Sequence, residues 1–215
     1  MFSILLRVIS GVWSAGLFCI PGDTGTVYLT FDDGPGEETT LRLLDILDRY
    51  GVKAVFFVIG EKAEKYPELL REIKRRGHTI GNHTWSHSSF MWDREKIRKE
   101  ILKTDSLIQA ITGEKPVFFR PPGVFCSPLW IEEARNLGHI IVFGSVAGLE
   151  FEEHLSRIEF LPFLHPGAIV IMHERKSTLS ALPFILEKIQ ERYRTGKPTE
   201  FIPRTSSDSL SHDPW

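Results

Sequence analysis

Residues 28–35 read Tyr28-Leu-Thr-Phe-Asp-Asp-Gly-Pro35, an apolar run that ends in two adjacent carboxylates and is stopped by glycine and proline. The run predicts a buried strand, and Gly34 with Pro35 predicts the turn that ends it. Neighbouring side chains on a strand point to opposite faces, so Asp32 and Asp33 would ordinarily diverge, but a turn can aim both into one cleft. One acid then suits a metal and the other a proton transfer. Acids in turns also bond local backbone, and the stretch by itself leaves both uses open.

Outward from this strand, short β-branched or aromatic runs alternate with amphipathic stretches of helical period. Further strands are predicted over residues 54–59, 79–81, 117–119, 140–143, 168–172 and 201–202. Helices are predicted over 39–50, with Leu41, Leu44 and Leu47 on the apolar face, and over 67–76, 94–111, 152–160 and 178–192. Another opens at Ser127 and Pro128 and closes at Gly138. In 94–111 the residues Ile97, Ile101, Ile108 and Ile111 recur at helical spacing behind Asp93 as N-cap. Such alternation implies right-handed crossovers and a mostly parallel sheet, an α/β fold either open or closed into a barrel. Asp32 and Asp33 follow strand one, His83 and His87 strand three, Arg120 ends strand four and His173 ends strand six. All fall at carboxyl ends, where both architectures build their active sites.

The chain of 215 residues, 42% of them hydrophobic, suits one domain with a sizeable core. With 26 basic against 28 acidic residues it carries no electrostatic footprint for nucleic acid, and none is expected as partner. Cys19 and Cys126 build neither a disulfide framework nor a cysteine zinc site, and ordinary buried thiols are expected. Residues 1–20 form an apolar, weakly signal-like lead-in that Arg7 interrupts, so no transmembrane span is expected. The compartment stays open between cytoplasm and cell envelope. The domain is expected over 21–204, with 205–215 as a mobile tail.

His83 and His87 lie in Gly81-Asn-His-Thr-Trp-Ser-His87. Four residues apart, they would share one face of a helical turn, which is metal-ligand spacing. Asp33 as third ligand would complete two histidines and one carboxylate with a position left open, as catalytic sites require. His78, directly after Gly77, is read as a cap or as a residue behind the site.

Taken together, Thr30-Phe-Asp-Asp-Gly-Pro35 and His83-Thr-Trp-Ser-His87 resemble the polysaccharide deacetylases with the NodB homology domain, over roughly 27–202. That resemblance implies a distorted (β/α) barrel and metal-dependent removal of acetyl groups from an N-acetylated glycan. Carried over by position, Asp33, His83 and His87 hold the metal, usually zinc, with cobalt, manganese or nickel also admitted by the donor set. Asp32 becomes the general base. Arg120, in Phe119-Arg-Pro-Pro-Gly123, matches the arginine that orients the base, and His173, in Val170-Ile-Met-His173, matches the general acid. Amide hydrolysis needs an activated water, a polarised carbonyl and a proton for the leaving amine, which these roles supply. Trp85, Trp92 and Phe125 are candidates for stacking on a sugar, with core packing as the alternative for each; Trp130 is assigned to the core.

Two departures from the family pattern stand out. Gly123 and Val124 occupy the place of an aromatic residue and glycine, which keeps the backbone N–H expected to face an oxyanion and loses a substrate-facing wall. Ser145-Val-Ala-Gly-Leu-Glu-Phe151 replaces a segment of Asp-x-x-Asp-Trp type, so the acid that orients the catalytic histidine is missing unless Glu150 substitutes. Weakened activity or an acid-shifted rate profile is the expectation. Two rivals remain: a non-haem iron oxygenase using the same ligand triad, and a weak or inactive relative that binds glycan or protein.

Overall fold

The structure is a computed structural model that describes residues 16–20, 25–123, 126–147, 161–197 and 199. Its strands are β1 (Thr26–Gly34), β2 (Val55–Val58), β3 (Thr79–Asn82), β4 (Phe118–Phe119), β5 (Ile140–Ile141), β6 (Val146–Ala147), β7 (Ile169–His173) and β8 (Arg194–Thr195). The helices are α1 (Thr40–Arg49), α2 (Gly60–Lys65), α3 (Pro67–Arg75), α4 (Arg94–Thr112), α5 (Pro128–Asn136) and α6 (Lys176–Gln190). The strands run in the order β5-β4-β3-β2-β1-β7-β6, with β8 beside the start of β1. Every pairing is parallel. Curled upon itself, this sheet is the distorted (β/α) barrel that the sequence predicts.

The central strands are apolar on both faces because helices cover one side and the barrel interior fills the other. Phe31, Phe56, Val58, Leu44, Leu47 and Leu70 are all fully buried between them. Leu17 and Ile20 of the lead-in pack against the interior cluster of Tyr28, Val55, Phe57 and Ile169. Leu17 bridges to Val142 and Cys19 to Ala168, so residues 16–20 bond to the barrel between β5 and β7.

Local chemistry sets the helix starts. The Asp93 carboxylate accepts the Lys96 N–H, and the Ser127 hydroxyl accepts the Leu129 N–H just before Pro128. In α1 the buried residues are Thr40, Leu43, Leu44, Ile46 and Leu47, while Leu41, expected inside, is exposed. Burial begins at Thr40 because its hydroxyl is tied inward to Glu174, at 2.6 Å. Helix α2 and strands β6 and β8 are absent from the sequence expectation, being too short to carry a periodic signal. The helix expected over 152–160 and the strand over 201–202 lie outside the described residues. Trp130 is fully buried, as expected, whereas Cys19 and Cys126 are half-buried rather than core thiols. Among the described residues, no helix is long and apolar enough to cross a membrane.

Candidate active site

The two carboxylates of β1 diverge in role through a bulge. Asp32 pairs with Phe57 of β2 and Gly34 with Val58, so Asp33 is the extra residue, and its φ of 67° turns it back toward the face that Asp32 uses. Aspartate tolerates this left-handed conformation better than most residues. Gly34 must lack a side chain, since a Cβ there would lie 1.7 Å from the Glu174 carboxylate.

His83 directly follows β3 and is buried. Its Nδ1 lies 2.8 Å from the carbonyl oxygen of Arg120. A carbonyl only accepts, so Nδ1 carries the proton and Nε2 presents its lone pair to the cleft. Burial pushes the His83 imidazole below its usual range, with the Asp32 carboxylate opposing, so the ring is held neutral as a ligand must be. Its Nε2 stands 3.8 Å from Asp33 Oδ1, and His87 Nε2 stands 3.5 Å from the same oxygen.

The two histidines do not share a helical turn, as their spacing predicts. Residues 83–87 form an irregular turn in which Thr84 and His87 both take left-handed φ values, 70° and 57°. That path still brings the imidazoles together, ring centroids 4.7 Å apart and edge to face. One ligand atom from each of Asp33, His83 and His87 falls within 4.8 Å of the others. Asp33 Oδ1 is buried and has no hydrogen-bond partner among the described residues. An orphaned carboxylate oxygen facing two imidazole nitrogens fits a divalent cation, because the ion's positive charge offsets the cost of burying the carboxylate's negative one.

Arg120, just past β4, is the hub of the neighbouring half. It is buried, and its guanidinium donates to Asp32 Oδ1 at 2.6 Å, Thr30 Oγ1 at 2.7 Å and the Val142 carbonyl at 3.0 Å. Three acceptors, two on β1 and one just past β5, fix the guanidinium, and through it the Asp32 carboxylate. His173 ends β7 in register with Asp32 on the adjacent strand. The sequence-predicted residues of β1, β3, β4 and β7 therefore meet at one edge of the sheet.

Other candidates fall differently. The Trp85 ring is buried, with Lys103 Nζ 3.3 Å from its centroid and Gly60 against its edge, so the stacking expectation for Trp85 is corrected to packing. Trp92 is exposed, Phe90 beside it more so, and Phe125 lies outside the described residues. Gly123 has φ 75°, where a Cβ would also come 3.0 Å from the Ser89 hydroxyl oxygen, so the aromatic residue of the family pattern does not suit this backbone. His78 is buried and accepts the Ala54 N–H through Nδ1 at 3.2 Å, a structural role, and burial pushes it down to about 4. Glu150 lies outside the described residues.

Three acids near the site escape a motif search. Glu174, next to His173, points to the opposite side, where it accepts the Thr40 hydroxyl beneath the turn at Gly34. Glu100 and Asp105 of α4 reach the turn that carries the histidines. Asp105 had a signal, since it lies on the buried stripe of Ile97, Ile101 and Ile108, where an acid needs a partner.

Comparison with known proteins agrees with this geometry. The family model described as polysaccharide deacetylase matches residues 20–142, more than half of the chain. A peptidoglycan-N-acetylglucosamine deacetylase of Bacillus cereus is 43% identical over 106 residues, 49% of this chain and 38% of that protein. The chain thus spans well under half the length of that relative. The Bc1960 peptidoglycan N-acetylglucosamine deacetylase superposes with a TM-score of 0.78 at 31% identity, covering 84% of this chain and 90% of that one. A CE4 family pseudoenzyme from Bacillus anthracis superposes at 0.80 with 27% identity, covering 86% and 68%. With the Asp32–Asp33, His83–His87 and Arg120 motifs at one sheet edge and within the residues that the family model matches, the chain belongs to the polysaccharide deacetylase family.

Proposed function

We propose that this chain is a metal-dependent hydrolase that removes N-acetyl groups from an amino-sugar polymer, with the glycan of peptidoglycan as the first candidate and the cell envelope as its place of action. One observation carries this reading: an Asp-His-His triad and an arginine-bound aspartate meet at the end of β1, in register with a histidine. Two of the relatives described above are named for peptidoglycan deacetylation. Membership of this family also counts against the oxygenase alternative.

Asp33, His83 and His87 would hold one divalent ion, zinc first and cobalt, manganese or nickel as alternatives. When bound, such an ion supplies Lewis acidity toward an amide carbonyl and acidifies water beside it. The Asp32 carboxylate, oriented by Arg120, takes a proton from the attacking water as its oxygen bonds to the carbonyl carbon. His173 gives a proton to the sugar nitrogen as the C–N bond breaks, releasing acetate and a free amine. The N–H of Gly123 is the proposed donor to the oxyanion.

The test is acetate release from N-acetylglucosamine oligomers and from peptidoglycan by the zinc-loaded protein. Release that disappears on chelation and in Asp32→Asn supports the reading, and the preferred polymer names the substrate. Metal-loaded protein that releases no acetate from either polymer overturns it. A catalytically weak or inactive glycan binder is the second reading, favoured by the lost aspartate of 145–151 and by the likeness to a pseudoenzyme.

A further inference from the structure

We infer that Glu100 and Asp105, carboxylates on the two flanks of the buried stripe of α4, are positioning residues that set how tightly the His83/His87 pair holds its metal. The inference rests on the metal site proposed above and goes beyond its ligands. The turn that presents the histidines is costly by itself, because Thr84 and His87 are non-glycine residues in the left-handed region. Such a turn persists only when its surroundings hold it.

Three elements hold it. From one side, the first amides of α2 bind its carbonyls: Gly60 N–H donates to Thr84 O at 2.9 Å and Glu61 N–H to Trp85 O at 3.1 Å. From the other side, Glu100 Oε2 accepts the N–H groups of Trp85 at 3.0 Å and Ser86 at 2.8 Å, and Oε1 accepts the Ser86 hydroxyl at 2.8 Å. One carboxylate therefore binds both residues preceding His87. At the start of the turn, Asn82 Oδ1 accepts the Thr84 N–H at 2.7 Å. The Asn82 amide is aimed by its own donations, to Asp105 Oδ1 at 2.7 Å and to the Ile101 carbonyl at 3.0 Å. Asp105 is in turn held by His139, whose Nε2 lies 3.0 Å from Oδ2, and Lys115 stands 3.8 Å from that oxygen.

Glu100 and Asp105 lie five residues apart on one continuous helix, so α4 acts as a rigid ruler between the two ends of the turn. Asp105 fixes the end at His83 and Glu100 fixes the end at His87. Partners behind the ligands commonly govern metal affinity because they remove the cost of bringing ligands into place. The placement also explains why an acid occupies a position on the buried stripe of α4, where a hydrophobic residue would pack more readily.

The test measures zinc and cobalt affinity of the full chain by competition with a chromophoric chelator, together with the visible absorption of the cobalt form. Glu100→Ala is expected to weaken binding by about 10- to 100-fold and to alter the cobalt band, with Glu100→Gln recovering part of the loss because its amide oxygen still accepts. Asp105→Asn should weaken binding less than Glu100→Ala, since it retains an acceptor for Asn82. Equal affinity and an unchanged cobalt spectrum in Glu100→Ala, even with a lowered melting temperature, would assign α4 a purely structural role and overturn the inference. His83→Ala separates the two layers. If the parent binds cobalt and His83→Ala does not, the site stands and the Glu100 series alone decides; if the parent binds neither metal, both readings fall.

Discussion

The two halves of this candidate active-site rim are held in different ways. The half on β1, β3 and β4 is fixed several times over. Asp32 is bound by a buried arginine that is itself anchored at Thr30 and Val142, and the histidine turn is tied to both α2 and α4. The half around His173 rests on the end of β7, which pairs with β1 over five residues on one side and with the two-residue β6 on the other. The candidate base and metal ligands are thus positioned by side-chain bonds as well as by strands, while the candidate acid sits at a strand end in register with that base. The contrast separates what side-chain networks fix from what strand register fixes.

The comparison breaks most readily at the metal. His83→Ala is expected to abolish metal binding and reduce acetate release to background, read as metal content and turnover on one sample; full activity without metal would undo the whole scheme. Asp32→Asn comes next, with kcat lowered by about 10²- to 10⁴-fold and metal content unchanged. His173→Ala is expected to lower kcat by about 10²-fold with metal content unchanged. A wild-type rate in His173→Ala would remove it as the proton donor to the leaving amine.

A smaller effect concerns Glu174, beneath the join of the two halves. Burial pushes its carboxyl up to about 7 from an ordinary 4.5, against the lowering influences of the Thr40 hydroxyl, the Gly36 backbone and Lys62. The folded state thus favours the neutral acid, so its contribution to stability is full below 4.5 and is lost as pH rises through about 7. In Glu174→Gln that decline should vanish, giving a flatter melting temperature between pH 5 and 8; an identical slope in both proteins would remove Glu174 as its source. Smallest of all, Glu150→Gln is expected to move the pH-rate profile by a few tenths of a unit if Glu150 replaces the missing aspartate. A profile identical to the parent removes it from the mechanism.

The alternation of strands and helices, the caps at Asp93 and Ser127 and the carboxyl-end placement of Asp32, Asp33, His83, Arg120 and His173 were legible in the sequence. These depend on local pattern, which a chain displays residue by residue. Leu41 was misplaced because the face of α1 is set by the tie from Thr40 to Glu174, a partner 134 residues away. Between stacking and packing the sequence could not choose for Trp85, because Lys103 and Gly60, which enclose its ring, belong to α4 and α2.

By itself, then, the sequence determined a parallel α/β fold and the carboxyl-end placement of the candidate residues, since both follow from side-chain type and short-range periodicity; the closed barrel and the residues' roles came from the family resemblance. Only the tertiary structure decided how those residues meet. The bulge that turns Asp33 back beside Asp32, the left-handed turn that replaces the expected helical one at His83 and His87, and the helix that holds that turn all depend on contacts between distant segments. A backbone in a costly conformation is stable only where packing and hydrogen bonds from elsewhere over-determine it, and those partners exist only once the chain has folded.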